Sequence, residues 1–164
     1  MVALGLPVWM KTYASEAPAN ALTLEVTTEQ FAWNVRYAGA DGKFGRTDPA
    51  LISASSAIGL DEKDPAAKDD VVDQGVLRVV VNRPVKIRLR SKDVLHSFFL
   101  PNFRIKQDSV PGMTIEFWFL PTKAGDFELA CAELCGLGHW EMRGLLRVMS
   151  TEDFEKWMKE QTNG

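Results

Sequence analysis

The chain has 164 residues, 46% of them apolar and 25% charged, a composition typical of one soluble globular domain rather than a disordered or membrane protein. Its net charge of −3 argues against a nucleic-acid partner, and no apolar run reaches the length of a transmembrane helix. We therefore expect one folded domain over residues 21–164, preceded by a tail over residues 1–20.

The tail contains the apolar stretch VALGLPVWMK, which Gly5 and Pro7 interrupt. Trp9 and Lys11 are residue types that favour a membrane interface, so one interpretation is the remnant of a membrane anchor. An unstructured chain end is the alternative. The stretch lacks the basic start and small-residue cleavage site of a signal peptide.

The rest of the chain contains short segments with alternating apolar and polar residues, rich in β-branched and aromatic side chains. They predict strands at 22–26, 30–37, 76–81, 85–90, 97–100, 114–120, 126–131 and 145–149. Turn sequences such as NRP, VPG and PTKAG separate several of them. This pattern predicts an all-β fold, a Greek-key β-sandwich or barrel.

Two stretches depart from that pattern. Residues 38–75 form a long connection that is predicted to be poor in strands, and its part 61–73 carries a net charge of −4, which is typical of a solvated loop. At the other end, STEDFEKWMKEQ over residues 150–161 begins with a capping-box pattern and places Phe154, Trp157 and Met158 at helical spacing. A short C-terminal helix is therefore expected.

The stretch CAELCGLGHWEM over residues 131–142 holds both cysteines of the chain, one of its two histidines and a methionine. The other histidine, His96, lies far upstream. A disulfide between Cys131 and Cys135 would leave the histidine and methionine unexplained, and a zinc site would leave the methionine without a role. A thiol–imidazole catalytic pair is a further alternative.

Copper accounts for every member of this set, because thiolate, thioether and imidazole are the soft ligands that suit it. A mononuclear site has room for one short copper–thiolate bond. Two thiolates on one loop can instead bridge two copper ions, with one histidine for each metal and Met142 as a weak ligand. A mononuclear copper or zinc-binding module of the same fold remains the alternative.

The segments SKDVLHSFFLPNFRIKQDSVPG and AGDFELACAELCGLGHWEMRGLLRV resemble the copper-binding domain of cytochrome c oxidase subunit II, a cupredoxin-like domain that carries the dinuclear CuA centre. The resemblance implies an electron-transfer module of a terminal oxidase. It would accept electrons from a c-type cytochrome and pass them to haem in oxidase subunit I. The parent protein would be anchored in the membrane, with this domain on the outer, periplasmic face and this chain a soluble fragment.

The same resemblance implies roles for individual residues. The copper ligands would be His96, Cys131, Cys135, His139, Met142 and the main-chain carbonyl of Glu133. The Glu133 side chain would contribute to a magnesium site shared with the large subunit.

The resemblance also implies a docking site for the cytochrome. The family's aromatic pattern corresponds here to QFAWNVRY, in which Phe31 replaces the first tryptophan and Trp33 keeps the second. Trp140, beside the predicted ligand His139, is a further candidate for electron entry. Acidic residues Asp93 and Asp108 would attract a basic cytochrome.

Overall fold

The computed structural model describes residues 2–10 and 15–162, so that Lys11 of the predicted tail lies outside the described residues. Within these two ranges, ten strands and two α-helices follow one another. They are α1 (Val2–Trp9), β1 (Leu22–Glu29), β2 (Ala32–Tyr37), β3 (Val71–Gln74), β4 (Val76–Val80), β5 (Val85–Ser91), β6 (His96–Leu100), β7 (Ile105–Ser109), β8 (Ile115–Phe119), β9 (Gly125–Cys131), β10 (Arg143–Met149) and α2 (Thr151–Thr162).

The strands form two five-stranded sheets, which confirms the predicted sandwich. The first has the order β3-β2-β1-β5-β8 and the second the order β4-β10-β9-β6-β7. The pairs β1–β5 and β4–β10 are parallel, and the other neighbours are antiparallel. Strands distant in sequence are therefore neighbours, as in Greek-key folds.

Apolar side chains from both sheets form one core. Trp33 of the first sheet packs edge-on against Phe98 of the second, with ring centroids 5.8 Å apart. At another point of the core, Phe154 and Trp157 of α2 pack against Tyr37 of β2. The expected C-terminal helix is present, and its apolar face closes this part of the domain.

The structure corrects three expectations about secondary structure. Strand β3 lies inside the connection 38–75, which was expected to be poor in strands, and β7 was not predicted at all. The predicted strand 30–37 begins only at Ala32, because Gln30 and Phe31 form the turn between β1 and β2. Phe31 is therefore not on a strand beside Trp33, and the alternation of aromatic residues gave a false register at this position.

The long connection between β2 and β3 is held to the first sheet by buried charges. The guanidinium of Arg36 lies 3.2 Å from Asp70 and 3.7 Å from Glu25, and it donates a 2.5 Å hydrogen bond to the carbonyl of Gly45. It also lies over the ring of Phe44, 4.8 Å from the centroid. The connection is therefore packed on the sheet at this point and is not simply a solvated loop.

Helix α1 is apolar along its whole length and buries none of its residues against the domain. Within the described ranges, no helix is both long enough and apolar enough to cross a membrane.

Candidate metal centre

The pairing of β6 with β9 brings the upstream histidine to the cysteine loop. Phe98 of β6 lies opposite Cys131, the last residue of β9. The N–H of Ala132 then donates to the carbonyl of Ser97, 2.9 Å away. His96, the residue before Ser97, is thereby placed beside the beginning of the loop.

The loop that follows Cys131 returns to the sheet at Met142. The N–H of Cys131 donates to the Met142 carbonyl at 3.1 Å, which closes the base of the loop at the junction of β9 and β10. A single turn of 3-10 helix over His139–Glu141 turns the returning chain toward the cysteines. A pair of sheet strands therefore forms a rigid base under the predicted ligands.

Sulfur and nitrogen atoms converge within this loop. The Sγ atoms of Cys131 and Cys135 are 3.9 Å apart and belong to free thiols, not to a disulfide. Cys135 Sγ lies 3.6 Å from His139 Nδ1 and 3.8 Å from Met142 Sδ. Cys131 Sγ lies 3.1 Å from the main-chain carbonyl oxygen of Glu133.

His96 completes the group from the other side. Its ligand atom lies within 4.8 Å of the sulfur atoms of Cys131 and Cys135. Its Nε2 lies 2.9 Å from Asp93 Oδ1, whereas its Nδ1 is fully buried and has no hydrogen-bond partner among the described residues. A buried imidazole nitrogen of this kind, next to two thiols, is suited to a metal ion, and a carboxylate on the opposite nitrogen is the usual partner of a metal-binding histidine.

The two thiols differ in acidity. Burial alone would raise the pKa of Cys131, but contacts with His96 and with the backbone of Ser97 lower that pKa to about 6. Burial and the neighbouring Cys131 thiolate raise the pKa of Cys135 to about 11. One thiolate is therefore present near neutral pH, and a metal that binds both sulfurs must displace the proton of the second.

The three aromatic residues predicted for electron entry differ in exposure. Phe31 and Trp140 have exposed fractions of 37% and 71% and lie at or next to the metal loop, since the Phe31 ring faces the backbone of Gly138. Trp33 is fully buried in the core, so it offers no surface for direct contact with a partner protein. Alternating aromatics on a strand are most often core residues.

The two predicted docking carboxylates are both engaged with residues of the site. Asp93 accepts hydrogen bonds from the N–H groups of Gln30 and Val94 besides its contact with His96. Asp108 is exposed and accepts a 2.7 Å hydrogen bond from the Ser97 hydroxyl. Both carboxylates therefore support the strand that carries His96, whatever they contribute to docking.

Sequence reasoning missed two features of this region. Leu134 and Leu137, which lie between the predicted ligands, project from the loop with exposed fractions of 79% and 98%. Together with Phe31 and Trp140 they form an exposed apolar surface around the site. Gln30 also contacts the loop, and no local sequence signal could show this because Cys135 lies 105 residues away.

Comparison with known proteins agrees with this geometry. The family described as cytochrome c oxidase subunit II, periplasmic domain, matches residues 22–149. The chain belongs to the cytochrome c oxidase subunit II family. Curated relatives in this family are named as subunit 2 of cytochrome c oxidase, and the family implies copper binding. The matching family model describes a periplasmic domain.

Individual relatives support the assignment. The alternative cytochrome c oxidase subunit 2 of Bradyrhizobium diazoefficiens is 42% identical over 162 residues, which are 98% of this chain and 58% of that protein. The chain thus spans less than two thirds of this relative's length.

Two solved structures are similar as well. The crystal structure of the periplasmic domain of subunit II of the cytochrome oxidase of Bradyrhizobium japonicum has a TM-score of 0.64 at 28% identity, covering 90% of this chain and 98% of that one. A mixed disulfide intermediate between a thioredoxin-like protein and subunit II of cytochrome c oxidase gives a TM-score of 0.61 at 26% identity, covering 92% of this chain and 97% of that one. The cupredoxin-like fold of the oxidase subunit II domain is thereby confirmed.

Proposed function

We propose that this domain is the electron-entry module of a haem-copper oxidase and that it holds a dinuclear copper centre of the CuA type. The observation that carries the proposal is the convergence of two free thiols, two imidazoles and a thioether at one end of the sandwich. The ligands would be His96, Cys131, Cys135, His139, Met142 and the carbonyl oxygen of Glu133.

The second thiol favours two copper ions over one. The Sγ atoms of Cys131 and Cys135 lie 3.9 Å apart, which suits two sulfurs that share a pair of metals. His96 and His139 approach from different elements, so that each metal would have its own imidazole. Zinc would leave the buried Met142 sulfur without a ligand role, because structural zinc sites use four cysteine or histidine ligands.

The protein would contribute rigidity and exclusion of water. A copper pair held by these residues would supply reversible one-electron redox chemistry. His96 and Met142 are almost completely buried, and main-chain hydrogen bonds to the sheet hold both ends of the loop. Ligands fixed in this way move little when the charge of the site changes, which is the condition for fast electron transfer.

The donor would be a c-type cytochrome that docks at the exposed apolar surface formed by Phe31, Leu134, Leu137 and Trp140. The domain would take up one electron from the reduced donor and pass it to haem in oxidase subunit I. Asp108 lies on the strand beside His96 and would attract a basic partner. Magnesium binding by Glu133 would require the large subunit and would arise only in the full complex.

The proposal can be tested with Cys135→Ser. If both thiolates bind both metals, the copper-loaded wild-type domain should show an electron paramagnetic resonance (EPR) spectrum with hyperfine coupling to two equivalent copper nuclei. Cys135→Ser should lose this coupling and retain at most one copper ion per chain. An identical spectrum in wild type and variant would contradict a dinuclear site bridged by both sulfurs, and a wild-type domain that selects zinc would contradict the redox function.

A further inference from the structure

The turn between β1 and β2 packs directly on the metal loop. The side-chain amide of Gln30 donates a 2.6 Å hydrogen bond to the main-chain carbonyl of Cys135. Since a carbonyl oxygen only accepts, the Gln30 atom in this contact is its NH₂ group.

Two glycines of the loop make this approach possible. A Cβ atom on Gly136 would lie 2.7 Å from Nε2 of Gln30, and one on Gly138 would lie 2.4 Å from the ring of Phe31. Gly136 also has a φ angle of +141°, which side chains of L-residues rarely adopt. The loop backbone is thus shaped to receive both residues of the turn.

The same glutamine is connected to the histidine side of the site. Its backbone N–H donates a 2.7 Å hydrogen bond to Oδ2 of Asp93, whose Oδ1 lies 2.9 Å from Nε2 of His96. Gln30 therefore connects the two parts of the ligand set. Its backbone N–H is linked to His96 through Asp93, and its side chain binds the Cys135 carbonyl.

We propose that Gln30 is a positioning residue of the copper centre, which fixes the Cys135 peptide relative to His96. The proposal rests on the proposed copper-binding function. Cys135 lies in a loop that is anchored to the sheet at Cys131 and Met142, and Gln30 supplies an additional anchor between those ends. Without it, the Cys135 thiolate keeps its chemistry but loses a fixed direction toward the metals.

Substitution of the side chain isolates this contact, because the backbone N–H that binds Asp93 is retained. Gln30→Met keeps the length of the side chain and removes the donor, and Gln30→Asn keeps the donor but shortens its reach. Gln161→Met is the matched control, since Gln161 is an exposed residue of α2. All three changes leave every predicted ligand in place.

The experiment uses copper as the probe and compares transfer of copper from each loaded domain to a chelator. Both Gln30 variants should lose copper at least about 10-fold more readily than wild type, the loss typical when the partner of a metal ligand is removed. Their EPR hyperfine coupling should become unequal between the two copper nuclei. The melting temperatures of their metal-free forms should match that of Gln161→Met.

Wild-type copper retention and an unaltered EPR spectrum in Gln30→Met would overturn the positioning role. A metal-free Gln30→Met domain that melts well below the Gln161→Met control would also overturn it, because the residue would then act on folding. If the wild-type domain itself binds no copper pair, the proposed function fails instead, and the two failures are distinguishable.

Discussion

Arg36→Met should free the long connection between β2 and β3 from the sheet that it covers. The Arg36 side chain is only 2% exposed, and its partner Asp70 is 0% exposed. Methionine fills much of the same volume without the charge. The change therefore leaves the Asp70 carboxylate buried without its guanidinium, whereas Glu25 keeps Arg88 and Arg90 at 3.5 and 3.7 Å.

The buried Asp70 carboxylate determines how much the free energy of unfolding should fall. Removal of one partner from a buried ion pair costs about 3–5 kcal/mol, because the remaining charge is uncompensated. Burial already raises the pKa of Asp70, while the Gly45 N–H and Arg36 act to lower it. Loss of Arg36 should raise this pKa further. The folded variant then binds more protons than the unfolded chain, so its stability should fall more steeply than that of wild type as pH rises above about 4.

Urea unfolding of the metal-free domain measures the change in the free energy of unfolding. The control is Arg147→Met, since Arg147 and its partner Asp126 are 41% and 49% exposed and such pairs contribute about 0–1 kcal/mol. Asp70→Asn added to Arg36→Met should recover part of the loss by removing the charge. If Arg36→Met lowers the free energy of unfolding no more than Arg147→Met does, the buried contacts of Arg36 do not hold the connection to the sheet.

Three further predictions follow from single contacts. Burial raises the pKa of Tyr37, so that near pH 10 the unfolded chain loses the phenol proton while the folded chain keeps it. The free energy of unfolding, measured in urea, should therefore fall by up to about 1.4 kcal/mol per pH unit above pH 10. Tyr37→Phe should not show this part of the pH dependence. Gly138→Ala should displace the ring of Phe31 and reduce copper retention, measured by transfer of copper to a chelator. Wild-type retention would show that the β1–β2 turn can move away from the loop without weakening copper binding. Trp140→Ser should slow electron uptake from a reduced c-type cytochrome in stopped-flow experiments while the copper spectrum stays unchanged, and an unchanged rate would exclude this exposed side chain from the docking surface.

Much of the fold could be predicted from the sequence because most strands bury one face. The alternation in β5, for example, matches its alternating burial. The missed strands β3 and β7 each lie at the edge of a sheet, with one neighbouring strand. In β7, Lys106 and Asp108 are exposed, and the partly buried residue between them is the polar Gln107, so that the apolar periodicity is weak.

The ligand types of the candidate site could be predicted from the sequence alone. Two cysteines, a histidine and a methionine in one short segment indicate soft-metal binding without knowledge of the fold. The support of the site could not be predicted, because the contact of Gln30 with Cys135 depends on how the β1–β2 turn packs on the loop. The alternation around Trp33 is typical of a core residue, but its packing against Phe98 of the other sheet depends on how the two sheets face each other.

The most direct test of the proposed centre is the copper content of the purified wild-type domain after loading, measured together with its EPR spectrum. We expect two copper ions per chain, which share one unpaired electron and give hyperfine coupling to two equivalent nuclei. A single copper ion per chain with coupling to one nucleus, or a domain that retains zinc in preference to copper, would contradict the dinuclear electron-transfer site.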